Sequence, residues 1–233
     1  MFAADVACAN MTLDSPFKLL VLDLDGTTLH GPGLLGDRNI AAAHALREHG
    51  VKITLNTGRL FSGTQWVADK LGVEGSVSVV NGAELIDART GVTRYGDYLD
   101  RASLIHAKRL LQEFRLTTFV YASRAIHYGR DAERHAPYLG VWTTGLEAHD
   151  DIHAAPAWSR DDIVALCALG EHSAIDALRT RFHEELRDEL GTFRFNTFDD
   201  EGFLKLRHHG QDKGSALVRL AEERGHTAAE TVA

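Results

Sequence analysis

Short apolar runs and longer amphipathic segments alternate along the first third of the chain. Apolar runs at 18–22, 51–55 and 77–80 predict three buried strands, and helices are predicted at about 37–49 and 61–71. Asp37 is the expected N-cap of the first helix, and Gly50 is expected to end it. This alternation predicts a parallel sheet with helices on both faces. In such sheets, ligands bind beyond the carboxyl ends of the strands.

The pattern changes after residue 84. Strand-like runs at 118–121, 163–169, 193–198 and 202–206 are mixed with helices at about 103–114 and 173–190, before a last helix that runs from Lys213 to about Gly225. This mixture predicts an inserted α+β domain. We therefore expect a disordered lead-in (1–16), a first core segment (17–84), an inserted domain (85–206) and a second core segment (207–233).

Acidic residues and a glycine follow the first predicted strand. In the segment 22–29, L-D-L-D-G-T-T-L, Asp23 and Asp25 alternate with Leu24, so their carboxylates point to the same side of an extended backbone. The backbone N–H groups of Gly26 and Thr27 come next. Carboxylates beside such N–H groups predict a site for a hard cation and a phosphate. A simple Asp-Gly turn is the alternative, but the D-x-D-G-T spacing at a strand end argues against it.

This octapeptide resembles the first motif of the haloacid dehalogenase (HAD) superfamily of phosphohydrolases. Thr57-Gly58-Arg59, at the end of the second strand, is similar to the second motif, and Asp212-Lys213-Gly214 is similar to the third. The segment 79–83, V-V-N-G-A, matches the sequence after the third core strand in the Cof-type branch, which carries a large C2 cap. The resemblance extends to the sugar phosphatases of the superfamily, including those acting on mannosyl-3-phosphoglycerate. It implies a Rossmann-like α/β core, a parallel sheet, and an α+β cap that gates the substrate.

The resemblance also implies a role for each motif residue in a phosphatase reaction. Asp23 would attack phosphorus and form an aspartyl-phosphate, while Asp25 would protonate the leaving alcohol and later activate water. Thr57 would hold a phosphoryl oxygen, and Lys213 would balance the charge that grows on it. Gly26, Thr27 and Gly58 would contribute to phosphate binding. Mg²⁺ would bind a carboxylate oxygen of Asp23 and the backbone carbonyl of Asp25.

Each of these positions also has a structural interpretation. Thr57-Gly58 fits a strand-exit turn, and Lys213 fits a surface lysine after an N-cap at Asp212. Arg59 fits a solvated arginine at a helix entry as well as a phosphate ligand. Asn81 fits a residue that fixes the turn into the cap as well as one that touches the substrate.

The fourth motif of the superfamily is an acidic loop, similar to G-D-x-x-x-D, that completes the magnesium site after the next core strand. Here that strand would begin at Thr231, two residues before the last residue given. We expect weaker magnesium binding and a first strand with an incomplete edge. The chain would then be poorly soluble, pair with another chain through that edge, or be a shortened product of a longer reading frame. The expected function is a Mg²⁺-dependent phosphatase for a small phosphorylated metabolite such as a sugar phosphate. A non-catalytic protein that binds a phospho-ligand or a partner, and a phosphotransferase, are the alternatives.

Composition narrows these possibilities. The 233 residues carry a formal net charge of −8 and show no basic cluster, which argues against nucleic-acid binding. No apolar segment is long enough to cross a bilayer, so no membrane interaction is expected. Cys8 and Cys167 suggest no disulfide framework, and we expect a cytoplasmic protein.

Thirteen histidines raise the possibility of a second kind of metal site. His149 and His153 have the i, i+4 spacing of helical ligands, but Pro156 ends any helix at this point. No third ligand is spaced to join them, so the sequence argues against a histidine metal site.

Overall fold

The computed structural model describes residues 17–31, 33–186, 188–196 and 200–233. The predicted lead-in at 1–16, which includes Cys8, lies outside these residues. In chain order, the strands are β1 (Leu19–Leu22), β2 (Leu29–His30), β3 (Leu34–Leu35), β4 (Lys52–Leu55), β5 (Ser76–Val79), β6 (Glu84–Asp87), β7 (Thr93–Gly96), β8 (Thr117–Ala122), β9 (Ile126–Gly129), β10 (Leu146–His149), β11 (Ile163–Gly170), β12 (Leu190–Asn196), β13 (Gly202–His208) and β14 (Thr231–Val232). The helices are α1 (Asp37–Glu48), α2 (Phe61–Leu71), α3 (Arg101–Phe114), α4 (Ala136–Leu139), α5 (His172–Glu185) and α6 (Lys213–Glu223).

The core sheet has β1 at its centre. It runs parallel to β4 on one side and to β14 on the other, and β5 continues the sheet through a bridge between Asn56 and Ser78. The hairpin of β6 and β7 extends β5 with antiparallel pairing. The predicted parallel α/β core is confirmed. The strand predicted at Thr231 does lie beside β1, where it pairs with Leu19 and Leu20. Self-association along the rest of β1 stays a prediction.

Helix α2 shows how the sequence sets the core elements. Its buried residues recur at three- and four-residue spacing and face the sheet. The helix ends at Gly72, whose φ of +64° is a left-handed conformation that glycine adopts without a steric penalty. The predicted bounds of this helix, 61–71, agree with the structure.

A six-stranded sheet, in the order β10-β9-β8-β11-β13-β12, forms the inserted region. Its strands pair antiparallel except for β9 and β10, which are parallel. Helices α3 and α5 cover one face in an apolar cluster that includes Leu110, Leu166 and Leu178. The opposite face belongs to a cluster shared with the core, since Phe119 and Tyr121 join residues such as Leu60. The predicted α+β cap is therefore present, while the exact domain boundaries stay a prediction.

Some predicted element ends were wrong. Asp37 is the first residue of α1 rather than its N-cap, because Gly36 has the extended backbone and its carbonyl accepts the N–H groups of Asn39 and Ile40. Helix α5 ends at Glu185 rather than near 190, because Leu190 already begins β12. The sequence analysis also missed β2, β3, β6, β7, β9 and β10, which are short strands without clear period-two alternation.

The structure also bears on membrane-spanning helices and on the state of Cys167. Within the described residues, no helix is both long enough and apolar enough to span a membrane. Cys167 has a free thiol, and its burial in β11 raises the pKa of that thiol to about 12.

Candidate active site

The carboxyl end of β1 brings Asp23 to the ammonium group of Lys213. Nζ of Lys213 lies 2.6 Å from Oδ1 of Asp23, and the same oxygen accepts the N–H of Leu24 at 2.8 Å. Both side chains remain partly exposed, at 39% for Asp23 and 41% for Lys213. The side-chain contacts of Asp23 within the described part of the chain use Oδ1. No hydrogen bond or ion pair among these residues uses its second oxygen, Oδ2.

The position of Lys213 follows from how α6 begins. Asp212 is the N-cap of α6, where its carboxylate accepts the N–H of Ser215 at 2.7 Å in a capping box. Asn56, at the end of β4, donates from Nδ2 to the carbonyl of Lys213 at 2.8 Å and accepts the hydroxyl of Ser78 at 3.0 Å. Asn56 thus ties the second and third core strands to the start of α6. The sequence analysis missed it, although a polar residue at the end of a buried strand was the available signal.

Arg59 holds the second aspartate of the site. Its Nε donates to Oδ2 of Asp25 at 3.0 Å, and its Nη2 lies 2.5 Å from Oδ1. Arg59 is 2% exposed, so it is a buried partner of Asp25 rather than a solvated arginine at a helix entry. A two-point guanidinium–carboxylate pair fixes both the plane and the position of the carboxylate.

Thr57, Gly58 and Asn81 form one compact backbone unit beside these carboxylates. The N–H of Asn81 donates to the carbonyl of Thr57 at 2.8 Å, and the N–H of Arg59 donates to the Thr57 hydroxyl at 3.2 Å. A Cβ at Gly58 would lie 3.1 Å from Oδ1 of Asn81. Thr57 has no exposed surface, so contact between its hydroxyl and a phosphate requires neighbouring groups to move.

The loop after Asp25 has the compact form that its glycine predicts. Gly26 has φ of +76°, and the N–H of Thr27 donates to the carbonyl of Leu24 at 3.3 Å. Of the two predicted phosphate-binding N–H groups, the Thr27 group is therefore partly used within the turn. The Thr28 hydroxyl donates to the carbonyl of Asp23 at 2.5 Å and ties the loop back to β1.

The cap contributes cationic and phenolic groups that the sequence analysis did not identify. Lys205 and Arg207 on β13 line a pocket of about 320 Å³ together with Asn81, Phe193, Asp212 and Lys213. Nη1 of Arg207 is buried and has no hydrogen-bond partner among the described residues. Burial lowers the pKa of both Lys205 and Arg207. Burial, and then the nearby Asp25 carboxylate, raise the pKa of Tyr138 on α4, so this phenol belongs to the surroundings of Asp25.

The cap is docked on the start of α2. The carbonyl of Trp142 accepts the N–H of Leu60 at 3.0 Å, and the hydroxyls of Ser62 and Thr143 lie 2.8 Å apart. A Cβ at Gly63 would lie only 2.3 Å from the Trp142 carbonyl oxygen. Glycine is therefore required where the cap backbone meets this helix.

The residues present suit a magnesium ion. Mg²⁺ prefers oxygen ligands and commonly takes one or two carboxylates while keeping several waters. Oδ2 of Asp23 meets this requirement, since the side chain is partly exposed and its protein contacts use the other oxygen. The side-chain oxygens of Asp25 are engaged by Arg59, which leaves its backbone carbonyl as the second candidate ligand.

Comparison with known proteins agrees with this geometry. The family model of haloacid dehalogenase-like hydrolases matches residues 20–233. The chain belongs to this family. Curated relatives include two proteins named HMP-PP phosphatase. The one from Yersinia enterocolitica is 25% identical over 221 residues, and the one from Yersinia pseudotuberculosis is 26% identical over 224 residues. Each match covers 93% of this chain and 76% of the relative.

Solved HAD structures share the fold. A haloacid dehalogenase-like hydrolase from Bacteroides thetaiotaomicron superposes with a TM-score of 0.79 at 21% identity, over 92% of this chain and 80% of the other. One from Bacillus subtilis has a TM-score of 0.74 at 20% identity, over 92% and 81%. The prediction of a Cof-type HAD phosphohydrolase is confirmed, and this HAD chain is a phosphatase.

Proposed function

We propose that this HAD phosphatase is Mg²⁺-dependent and hydrolyses a small phosphorylated metabolite through an aspartyl-phosphate on Asp23. The observation that carries the proposal is the contact between Lys213 and Oδ1 of Asp23, a partly exposed carboxylate whose Oδ2 is not used in that contact. A carboxylate that attacks a phosphate dianion needs a nearby cation to offset the repulsion. Lys213 supplies that cation at 2.6 Å.

The two aspartates then divide the reaction between them. Oδ2 of Asp23 forms a bond to phosphorus while the bond from phosphorus to the ester oxygen breaks, and Asp25 gives its proton to that oxygen. In the second step Asp25 takes a proton from water, whose oxygen attacks phosphorus and releases Asp23. Arg59 orients the ionised Asp25 carboxylate, because its guanidinium contacts both oxygens. When one oxygen carries the proton, the contact at the other oxygen keeps the group in place. Proton transfer of this kind typically contributes about 10²–10⁴-fold to a rate.

Magnesium would be held by the Asp23 carboxylate and the backbone carbonyl of Asp25. When bound, the ion neutralises charge on the phosphoryl oxygens. Lys213 offsets the remaining charge of the aspartate and phosphate groups at the same place.

The pocket beside Lys213 supports a substrate class. Lys205 and Arg207 add two cations to the pocket that Lys213 lines, and burial makes an unpaired cation costly. A second anionic group on the substrate would pair with them. We therefore propose a phosphate ester that carries a further phosphate or carboxylate. The relatives named HMP-PP phosphatase support a small phosphorylated substrate in general.

The test is phosphate release from an aryl phosphate with and without Mg²⁺, comparing the wild type with Asp23→Asn. We expect activity that requires Mg²⁺ and is lost in the variant, together with a phosphoryl adduct on the wild-type peptide that contains Asp23. Asp37→Asn, an exposed change on α1, is the matched control and should retain full activity.

Two outcomes would contradict parts of the proposal. Undiminished activity in Asp23→Asn would remove Asp23 as the nucleophile, and activity unaffected by chelation would remove the magnesium requirement. Added sugar that takes up the phosphoryl group, with no change in substrate consumption, would favour the phosphotransferase alternative.

A further inference from the structure

The edge of the cap sheet brings together three side chains of the types that bind metal ions. His127 on β9 and Glu147 on β10 are register partners in the parallel pair, and His149 follows two residues later on β10. Paired residues in parallel strands share a face, and so do residues two apart on one strand. All three side chains therefore project from the same face at the edge of the sheet.

This cluster is separate from the catalytic site. His127 is the register partner of Val120 on the neighbouring strand β8. Val120 belongs to the apolar cluster formed with α3 and α5. The neighbouring residues Ile126 and Tyr128 point the other way and join the cluster shared with the core. The histidine face of the sheet is thus turned away from Asp23 and Lys213.

The ligand atoms converge at distances that suit one ion. Nδ1 of His127 lies 3.1 Å from Nε2 of His149 and 3.2 Å from Oε2 of Glu147, and all three ligand atoms fall within 4.8 Å of one another. Atoms bound to a tetrahedral Zn²⁺ at its usual distances are separated by about 3.3 Å. A two-histidine, one-carboxylate set with an open fourth position is a common zinc arrangement.

A proton satisfies this cluster less completely than a cation does. One hydrogen on Nδ1 of His127 can be donated either to Nε2 of His149 or to Oε2 of Glu147. The acceptor that does not receive it then faces other lone pairs. Nε2 of His127 is buried and has no hydrogen-bond partner within the described ranges, so the polar contacts that orient the ring are those at Nδ1. A divalent cation would accept a lone pair from each of the three ligand atoms.

The surrounding charges are compatible with a cation. His127 is buried, and the two polar groups that face its Nδ1 are His149 and Glu147. Arg160 is a cationic side chain that acts on His127, and it is paired with Asp162 at 2.7 and 2.8 Å. Glu147 is 55% exposed, so an ion can enter from solvent at the sheet edge.

We propose that His127, Glu147 and His149 bind a divalent transition-metal ion of the zinc type, which fastens the edge strand β10 to β9. Such a site stabilises the cap, because ligands contributed by both strands are held by one ion. It is independent of the Mg²⁺ that we assign to the catalytic aspartates.

The test measures Zn²⁺ binding by calorimetry and by thermal unfolding of the full chain after chelator treatment. All proteins carry Asp23→Asn, which removes a competing carboxylate at the catalytic site. We expect one Zn²⁺ ion to bind per chain. We also expect a rise in Tm of about 5–10 °C when free Zn²⁺ exceeds the Kd about 100-fold. Adding His149→Gln or Glu147→Gln should abolish both effects. His30→Gln, at an exposed position on strand β2 outside the cap, is the matched control and should retain both effects.

Co²⁺ provides a readout that a purely structural role of these residues would not give. Co²⁺ with a tetrahedral nitrogen and oxygen ligand set absorbs visible light, and this band should appear in the parent protein and disappear in Glu147→Gln. Zn²⁺ binding that is equal in the parent and in both ligand variants would overturn the proposal. So would a parent protein that binds no Zn²⁺.

Discussion

At the scale of single residues, Arg59 and Asn56 decide the geometry of the candidate active site. Arg59 holds Asp25 by two hydrogen bonds from a buried position, and Asn56 connects the end of β4 to the first residue of α6. Neither contact follows from local sequence, since the partners are 34 and 157 positions apart. The D-x-D-G-T motif predicts which carboxylates act, and these neighbours determine how the carboxylates are held.

Arg207 provides a test of substrate preference at this scale. If Arg207 contacts a second anionic group, Arg207→Ala should raise the KM for a bis-phosphorylated sugar about 10–100-fold, because a hydrogen bond to a charged group contributes about 1.5–3 kcal/mol. The KM for an aryl phosphate should change little, since that substrate has no second anion. The measurement is kcat and KM for both substrates.

The control for this experiment lies on the adjacent strand. Arg194 on β12 pairs with Asp176 of α5 at 2.7 Å, on the helix-covered side of the sheet. Arg194→Ala should therefore leave both KM values near those of the wild type. Equal losses for the two substrates in Arg207→Ala would show that Arg207 does not discriminate between them.

At the scale of secondary structure, α2 shows both what a pattern predicts and what it misses. Its apolar spacing and the glycine at its end define the helix. The glycine inside it, Gly63, looks like a weakness by helix propensity, because glycine costs about 1 kcal/mol relative to alanine in a helix. The structure gives the reason for it, which is the contact with the backbone of Trp142.

Gly63→Ala should therefore destabilise the protein despite its better helix propensity. An added Cβ would lie 2.3 Å from the Trp142 oxygen, and overpacking of this kind costs about 1–3 kcal/mol. The free energy of unfolding from urea titration measures the effect. Gln65→Ala, at an exposed position of the same helix, should change the stability by less than about 0.5 kcal/mol. A Gly63→Ala variant more stable than the wild type would contradict the docked position of the cap.

At the scale of the whole molecule, core and cap meet at Glu84. This carboxyl begins β6 and accepts hydrogen bonds from Ser123, at the end of the cap strand β8, and from Tyr98, between β7 and α3. Its Oε2 is buried and has no partner in the described part of the chain. Burial raises the pKa of Glu84 above the ordinary value of 4.5, although the two hydrogen bonds oppose this shift.

The raised pKa predicts a pH dependence of global stability. The folded state binds the Glu84 proton more tightly than the unfolded state, so this contribution is complete below pH 4.5 and is lost as pH rises through the folded pKa. Glu84→Gln removes the charge while keeping the shape. Relative to the wild type, we expect the variant to gain about 1–3 kcal/mol in free energy of unfolding at pH 8 but not at pH 4.5, because the amide carries no charge for burial to disfavour.

Urea titrations at the two pH values measure this difference. Glu48→Gln, an exposed change on α1, is the control and should follow the wild type at both values. A constant difference between Glu84→Gln and the wild type across this range would mean that Glu84 does not titrate as the buried junction predicts.

The sequence alone determined the α/β core and the α+β class of the cap. It also determined four candidate site residues: Asp23, Asp25, Thr57 and Lys213. These depend on local information: apolar periodicity, strand ends, and motifs whose residues are neighbours in the chain. Tertiary structure decided the partners. The pairing of Arg59 with Asp25, the pocket formed by Lys205 and Arg207, and the convergence of His127 with Glu147 and His149 all join residues from different elements.

The histidine cluster illustrates the physical reason. His149 was considered with His153, four residues along the chain, whereas its partner in space is His127, on a strand that the sequence analysis missed. Strand register brings together side chains that are distant in sequence, and register is set by packing and by backbone hydrogen bonds across the sheet. Local patterns therefore determined candidates such as Asp23 and Lys213, and the pairing of strands decided which other residues meet.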